Sequence, residues 1–430
     1  MTQETVTQET VTQDSTTGGT TGVLGPDELL TVATVPAYLA AVPALAAAVD
    51  TGALAGVVEV GDGNLNLVFV VTDVHGRSLV LKQSLPHVRT DPSWPMTRER
   101  SAREARILAA HRAADPDHVP ELLHHDPAGH VLAMEDLSDH VVWRTALVRG
   151  QLHAEAAADL GVYAARAGFG TSVLALGTAG HKAAVAASVN PELSEITEDL
   201  VLTEPYVDHP HNAVLPANAA DVAALAGDPG VRAAVGRAKW DFMTRLEVLL
   251  HGDLHTGSVF VRAATDGAPR STRAFDAEFG AYGPLGFDVG MLWGNLVLAA
   301  ARATALGDDG RAAALLELPA ATWAAFEAEW RRLWPGRLDP RVTGDDVLED
   351  LLARARADAC AYAGAETVRR VVGFAKVADV ETLPEELREG AVRGALRAAR
   401  ELLLAPGRGR TDPAALSQVT GELLAAAATR

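Results

Sequence analysis

The spacing of apolar positions changes character twice along the chain. Residues 1–26 repeat Thr-Gln-Glu-Thr-Val, carry no aromatic residue and show no amphipathic period, which predicts a disordered tail. From Gly56 to Leu81, β-branched and apolar runs (Val57, Val58, Val60; Leu65 to Val71; Leu79 to Leu81) alternate with the turns Gly61–Asn64 and Asp73–Gly76. That pattern predicts an antiparallel meander ending at Lys82. A long loop from Pro86 to Pro95 follows. A helix capped by Thr97 is then expected to run to about Arg112, with Glu99 and Arg103 paired at i,i+4. Two more strands, near Glu121–His124 and Val131–Met134, flank the turn Asp126–Gly129. After about residue 140 the chain turns alanine-rich and helical, broken by short strands near 259–261 and 273–276. Beyond 406, a Gly, Arg and Pro-rich stretch leads to a short Ala-rich helix expected to pack loosely. The fold class read from this is α+β, a small mixed lobe followed by a larger helical one. The expected boundaries are 1–26 (tail), 27–137 (N-lobe), 138–405 (C-lobe) and 406–430 (C-terminal tail).

Composition narrows the function. With 430 residues, 48% of them hydrophobic, the chain has material for a sizeable core. A net charge of −19 without a basic run argues against a nucleic-acid partner and an anionic membrane surface. Cys360 is the only cysteine, so neither an intrachain disulfide nor a cysteine metal cluster is possible, and a cytoplasmic location is expected. No secretory or membrane segment is visible. The longest apolar runs, Ala37–Val49 and Val289–Ala300, are interrupted by Pro43, Gly294 and Asn295. They fall short of the roughly 18–20 residues that span a bilayer and read as buried helices.

The chemistry concentrates in residues 251–290. His251-Gly252-Asp253-Leu254-His255-Thr256-Gly257-Ser258 follows the apolar Val248-Leu249-Leu250, and Phe275-Asp276-Ala277-Glu278 precedes a glycine-broken stretch. Phosphoryl transfer asks for a carboxylate to orient the attacking hydroxyl and others to hold Mg²⁺ against phosphates. Asp253 alone reads as a turn residue. With Asp276 and Glu278 placed 23 and 25 residues on, across a short hairpin, it becomes a candidate catalytic carboxylate. Lys82 is the only lysine before Lys182, so a lysine on the phosphates from this lobe would be Lys82, with Glu104 as its ion-pair partner. The turn Gly61-Asp62-Gly63-Asn64-Leu65-Asn66 lets backbone amides approach phosphate, yet it is not a Walker loop and equally suits a plain hairpin turn. Arg369 and Arg370 lie on an apolar helical stretch, where buried guanidinium groups need anionic or polyhydroxy partners, although adjacent arginines are more often surface charge. Trp94 is a packing anchor or a substrate wall. His124 and His125 read as structural.

These motifs, together with Met134-Glu135-Asp136-Leu137, Asn190-Pro191-Glu192-Leu193, Thr203-Glu204-Pro205-Tyr206 and Tyr282 to Asp288, resemble those of the methylthioribose kinases. That family lies in the aminoglycoside and choline kinase-like branch of the bilobal protein-kinase-like fold. The resemblance covers about residues 60–380 and implies ATP and Mg²⁺ as cofactors, a sugar acceptor, a role in methionine salvage and a homodimer. It further implies Asp253 as catalytic base touching the sugar, and Asp276 and Glu278 as metal ligands. Gly63, Asn64, Lys82 and Glu104 would serve the nucleotide phosphates, and Glu135, Asp136 and Leu137 the adenine hinge. Arg369, Arg370 and Trp94 would serve the sugar. Two departures stand out: Ala277 replaces the family's proline, and Arg262–Thr272 is longer than usual. The alternatives are a kinase for another 5-deoxypentose, a choline-like alcohol or an aminoglycoside, a non-catalytic nucleotide-binding module, or a helical scaffold.

Overall fold

The computed structural model describes residues 24–25, 28–61, 65–89, 91–341 and 343–428. The expected N-terminal disorder, at residues 1–23 and 26, lies outside them, as do Gly63 and Asn64.

Five antiparallel strands form the N-terminal sheet: β1 (Leu54–Val60), β2 (Asn66–Asp73), β3 (Ser78–Ser84), β4 (Leu122–Asp126) and β5 (Val131–Glu135), in the order β1-β2-β3-β5-β4. The period-2 alternation sends Phe69, Val71, Leu79, Leu81, Val131 and Ala133 to one face. There they meet Tyr38, Leu39 and Leu45 from two short helices, Val35–Ala41 and Pro43–Ala48. Helix α1 (Arg100–Ala114) runs between the sheet and the larger lobe. Lys82 sits between Val68 and Leu132 and is buried.

Three expectations are corrected here. Residues 86–95 are not all loop, since His87–Val88 pairs antiparallel with Asp91–Pro95. Thr97 does not cap α1: the helix begins at Arg100, the Thr97 amide donates to Glu192, and its hydroxyl donates to Glu99. With its carboxylate taken by Thr97, Glu99 makes no ion pair with Arg103 among the described residues.

The C-terminal part is helical. Helix α2 (Glu155–Thr171) packs along α4 (Asp309–Leu333), and α3 (Phe287–Ala305) is enclosed by α4, α5 (Asp345–Val372) and α6 (Glu385–Leu404). Almost every residue of α3 is buried, as expected of a helix apolar on all sides. Gly286, Gly290 and Gly294 form a ridge that lets α3 and α5 touch backbone to backbone. A Cβ at Gly290 would stand 2.7 Å from the Ala359 carbonyl, and one at Gly294 2.7 Å from that of Ala363. Among the described residues no helix is long and apolar enough to cross a membrane.

The segment after 406 does not pack loosely. Its helix α7 (Pro413–Ala428) buries Thr420, Leu424 and Ala427 at helical spacing and lies against α6 and α4. Its small residues permit a close approach, with Ala427 facing Gly394.

Candidate active site

A short strand pairing, Val248–Leu249 with Tyr282–Gly283, delivers the loop that carries Asp253. Gly252 adopts φ +87°, and a Cβ there would collide with the Phe279 carbonyl, so the turn requires glycine. Asp288, at the start of α3, accepts the amides of His251 (2.7 Å) and Gly252 (3.0 Å). Burial pushes its carboxyl up to about 7, although those two amides oppose the shift. His251 is buried, and its Nε2 bonds the Phe275 carbonyl at 2.9 Å, clipping this loop to the segment that bears Asp276.

Asp253 stands beside two guanidinium groups and an imidazole. Arg369 Nη1 is 3.5 Å and Arg370 Nη2 3.7 Å from its Oδ1, and His255 Nε2 is 3.3 Å from Oδ2. His255 Nδ1 accepts the Gly257 amide (3.1 Å) and lies 3.0 Å from Ser258 Oγ. A neutral ring therefore carries its proton on Nε2 and donates it to Asp253. Burial lowers the pKa of His255, which favours that neutral form. Burial alone would raise the Asp253 carboxyl, but His255, Arg369 and Arg370 hold it well below the usual carboxylate range.

Behind the arginines lies a buried polar chain. Glu366, fully buried one turn earlier on α5, is 3.3 Å from Arg369 Nη1 and 2.5 Å from Arg370 Nε. Asn295 on α3 donates to Glu366 at 2.9 Å and accepts from Arg144 at 2.5 Å. Arg144 in turn lies 3.4 Å from Asp379. The glycine ridge between α3 and α5 thus aligns the two helices that supply this chain.

The second centre lies beneath the sheet. Lys82 Nζ is 2.7 Å from Glu104 Oε1 and also contacts Asp276. Asp276 sits in the left-handed region at φ 68°, uncommon for a non-glycine residue, and its side chain is 42% exposed, toward solvent. Glu278 is buried, accepting Arg100 Nε at 3.1 Å and Asn66 Nδ2 at 3.3 and 3.4 Å. Asn190 ties down the same turn through the carbonyls of Glu278 (2.9 Å) and Gly280 (3.1 Å). Burial pushes Glu104 up to about 7 against the pull of Lys82, and raises Glu278 as well. Partial desolvation would raise the Asp276 carboxyl, but Lys82 holds it below its ordinary value. Ligand oxygens of Glu104, Asp276 and Glu278 lie within 4.8 Å of one another, an all-oxygen set suited to a hard cation.

The remaining predicted residues are more dispersed. Glu135 ends β5, where its amide donates to the Glu121 carbonyl and its carboxylate accepts the Glu121 amide. Asp136 accepts the Ser138 amide at 2.9 Å, and the carbonyl of the buried Leu137 accepts the His140 amide at 2.9 Å. Trp94 lies apart from Asp253's immediate partners, stacked on His211 at 5.9 Å and tilted against Phe374 at 6.0 Å. His124 and His125 are strand residues of β4. Arg100, Asn66, His255, Asn295 and Glu366 were not singled out from the sequence. Only Glu366 carried a signal, at three and four residues before the arginine pair on one helix face.

Residues 56–334 match the phosphotransferase enzyme family. A methylthioribose kinase from Yersinia pseudotuberculosis is 40% identical over 83% of this chain and 88% of its own length. Methylthioribose kinases from Pectobacterium carotovorum and Cronobacter sakazakii are each 42% identical, over 81% and 82% of this chain and 87% and 89% of their own.

Proposed function

The chain belongs to the methylthioribose kinases within the phosphotransferase enzyme family, and on that premise we propose that it moves the γ-phosphoryl group of ATP to the anomeric hydroxyl of 5-methylthioribose. The products are methylthioribose 1-phosphate and ADP, a step of methionine salvage. The observation that carries the assignment of roles is the convergence of Arg369, Arg370 and His255 on Asp253.

Asp253 orients the acceptor hydroxyl and takes its proton. A carboxylate held so far below its usual range is a weak base but a firm hydrogen-bond acceptor. That suffices where the transition state is loose and the proton leaves late. Arg369 and Arg370 present several donors each, which suits the vicinal hydroxyls of a furanose. Trp94 closes the sugar end. Lys82, set by Glu104, contacts the nucleotide phosphates with Gly63 and Asn64, and Glu135 to Leu137 border the adenine. Asp276 and Glu278 would hold Mg²⁺, with Asp276 the more accessible ligand because its side chain is partly exposed whereas Glu278 is buried on Arg100 and Asn66. A bound Mg²⁺ would neutralise charge on the β- and γ-phosphate oxygens. The nucleotide-binding lobe is residues 27–137 and the catalytic, substrate-binding lobe 138–405. The family resemblance supports a homodimer in the cytoplasm, and sedimentation tests the first.

The decisive experiment is ADP release with Mg²⁺-ATP and a panel of 5-methylthioribose, 5-deoxyribose, ribose, choline and kanamycin. Selective turnover of methylthioribose is expected. Preference for another acceptor would refute the substrate assignment and leave the kinase chemistry standing.

A further inference from the structure

Outside the catalytic centre, one loop gathers metal-ligating side chains that the phosphotransfer reading does not use. In Glu204-Pro205-Tyr206-Val207-Asp208-His209-Pro210-His211, three side chains turn toward one point, and their ligand atoms all lie within 4.8 Å of one another. His211 Nδ1 stands 2.9 Å and His209 Nδ1 3.4 Å from the same oxygen, Glu204 Oε2.

The three groups form a compact cluster. His209 Nδ1 also lies 3.3 Å from the His211 amide, a long contact that leaves the atom facing the Glu204 carboxylate. A cation placed among the two ring nitrogens and the carboxylate oxygen would be held by all three. The spacing also fits: ligands about 2.0–2.1 Å from a tetrahedral ion stand roughly 3.3 Å apart. The three groups are half-buried, leaving a side open for water as a fourth ligand.

We propose that Glu204, His209 and His211 form a binding site for a borderline transition-metal ion of the Zn²⁺ class, separate from the all-oxygen carboxylate group around Asp276. Two imidazoles and one carboxylate favour such an ion over Mg²⁺, whereas the Glu104, Asp276 and Glu278 oxygens favour the reverse. The loop is braced for the task. Asn212 donates to the carbonyls of Glu204 (2.7 Å) and Val207 (2.9 Å), closing the turn that brings the ligands together. The His211 ring stacks on Trp94, which comes from the N-terminal lobe, and lies 5.6 Å from Phe374, four residues beyond Arg370. An ion on His211 therefore fixes the orientation of an aromatic wall contributed by both lobes.

The test uses the full-length protein, stripped with chelator and given Zn²⁺ alone in millimolar Mg²⁺, which occupies the oxygen sites. Bound zinc is counted by mass spectrometry after gel filtration, and Co²⁺ replaces Zn²⁺ for visible spectroscopy. One retained equivalent is expected, with intense tetrahedral Co²⁺ bands. His209→Ala and His211→Ala, which remove direct ligands, should each weaken zinc binding by at least the roughly 10–100-fold that follows loss of an outer-shell partner, and Asp276→Asn should leave it unchanged. Absence of retained zinc and of the cobalt bands in the wild-type protein overturns the proposal. So does an equivalent that survives both histidine substitutions, or one lost with Asp276→Asn. The cobalt spectrum of the wild-type chain decides the matter even where a histidine variant fails to fold.

Discussion

Replacing Glu366 with Gln removes one negative charge from beneath two guanidinium groups while nearly preserving shape. At 3.3 Å from Arg369 and 2.5 Å from Arg370, and an effective dielectric of about 20, the two carboxylate–guanidinium attractions amount to about 5 and about 7 kcal/mol, offset by several kcal/mol of carboxylate desolvation. Removing one partner of a buried ion pair typically costs about 3–5 kcal/mol. The lower end applies here, because Asp253, 3.5 and 3.7 Å from the same arginines, still compensates them. Glu366→Gln is therefore expected to lose about 3 kcal/mol at pH 7 in urea unfolding. The pH dependence has a definite sign. Burial would raise the Glu366 carboxyl, but Arg369 and Arg370 hold it below its ordinary value. Its contribution is thus present above the unfolded carboxyl pKa of about 4.3 and disappears as pH falls through the folded value. The gap between wild type and variant should be full at pH 7 and close below about pH 4. Displaced arginines should also raise KM for the sugar more than KM for ATP. A variant within about 0.5 kcal/mol of wild type at pH 7, the range of an ordinary surface change, would refute the claim that Glu366 anchors the pair.

Other outcomes follow from the same geometry. Asp253→Ala should cut turnover by at least about 10²–10⁴-fold while calorimetry still detects Mg²⁺-ATP binding; a near-wild-type rate would remove Asp253 from the mechanism. Gly252→Ala forces a side chain against the Phe279 carbonyl at φ +87°, and should lower kcat by about a hundredfold with nucleotide affinity little changed. Gly290→Ala inserts a methyl 2.7 Å from the Ala359 carbonyl, costing about 1–3 kcal/mol of stability in denaturant titration and lowering kcat. EDTA should abolish ADP release and Mg²⁺ restore it, with Asp276→Asn needing a higher Mg²⁺ concentration for half-maximal rate.

Much of the N-terminal sheet was legible because its alternation is local: Phe69, Val71, Leu79 and Leu81 declare their face within their own strands. The candidate site was legible where chemistry is written in adjacent residues, as in Gly252-Asp253 and Asp276-Ala277-Glu278. What escaped was set by long-range packing. Arg100 lies in a run of charged residues indistinguishable from a solvated helix face, yet it is fully buried on Glu278, 178 positions away. Asn295 looked like an interruption of an apolar run, and its partners Glu366 and Arg144 lie 71 and 151 positions off. The C-terminal helix misled because alanine spacing reveals little about how closely a partner approaches. Only the glycines it meets on α6 make its docking intelligible.

The ridge of Gly286, Gly290 and Gly294 bears on how the proposed acceptor site can diversify. Contacts between side chains can be retuned by exchanging one rotamer or one methylene for another. A contact between two main chains offers no such intermediate steps, because any addition arrives as a collision. The position of Arg369 and Arg370 relative to α3 is accordingly a nearly discrete variable. At the proposed site, new acceptor preferences are then more accessible through exchange of the side chains Trp94, His211 and Phe374 than through sliding the helix that carries the arginines. The molecule divides into a part that drift can sculpt and a part that it can only break.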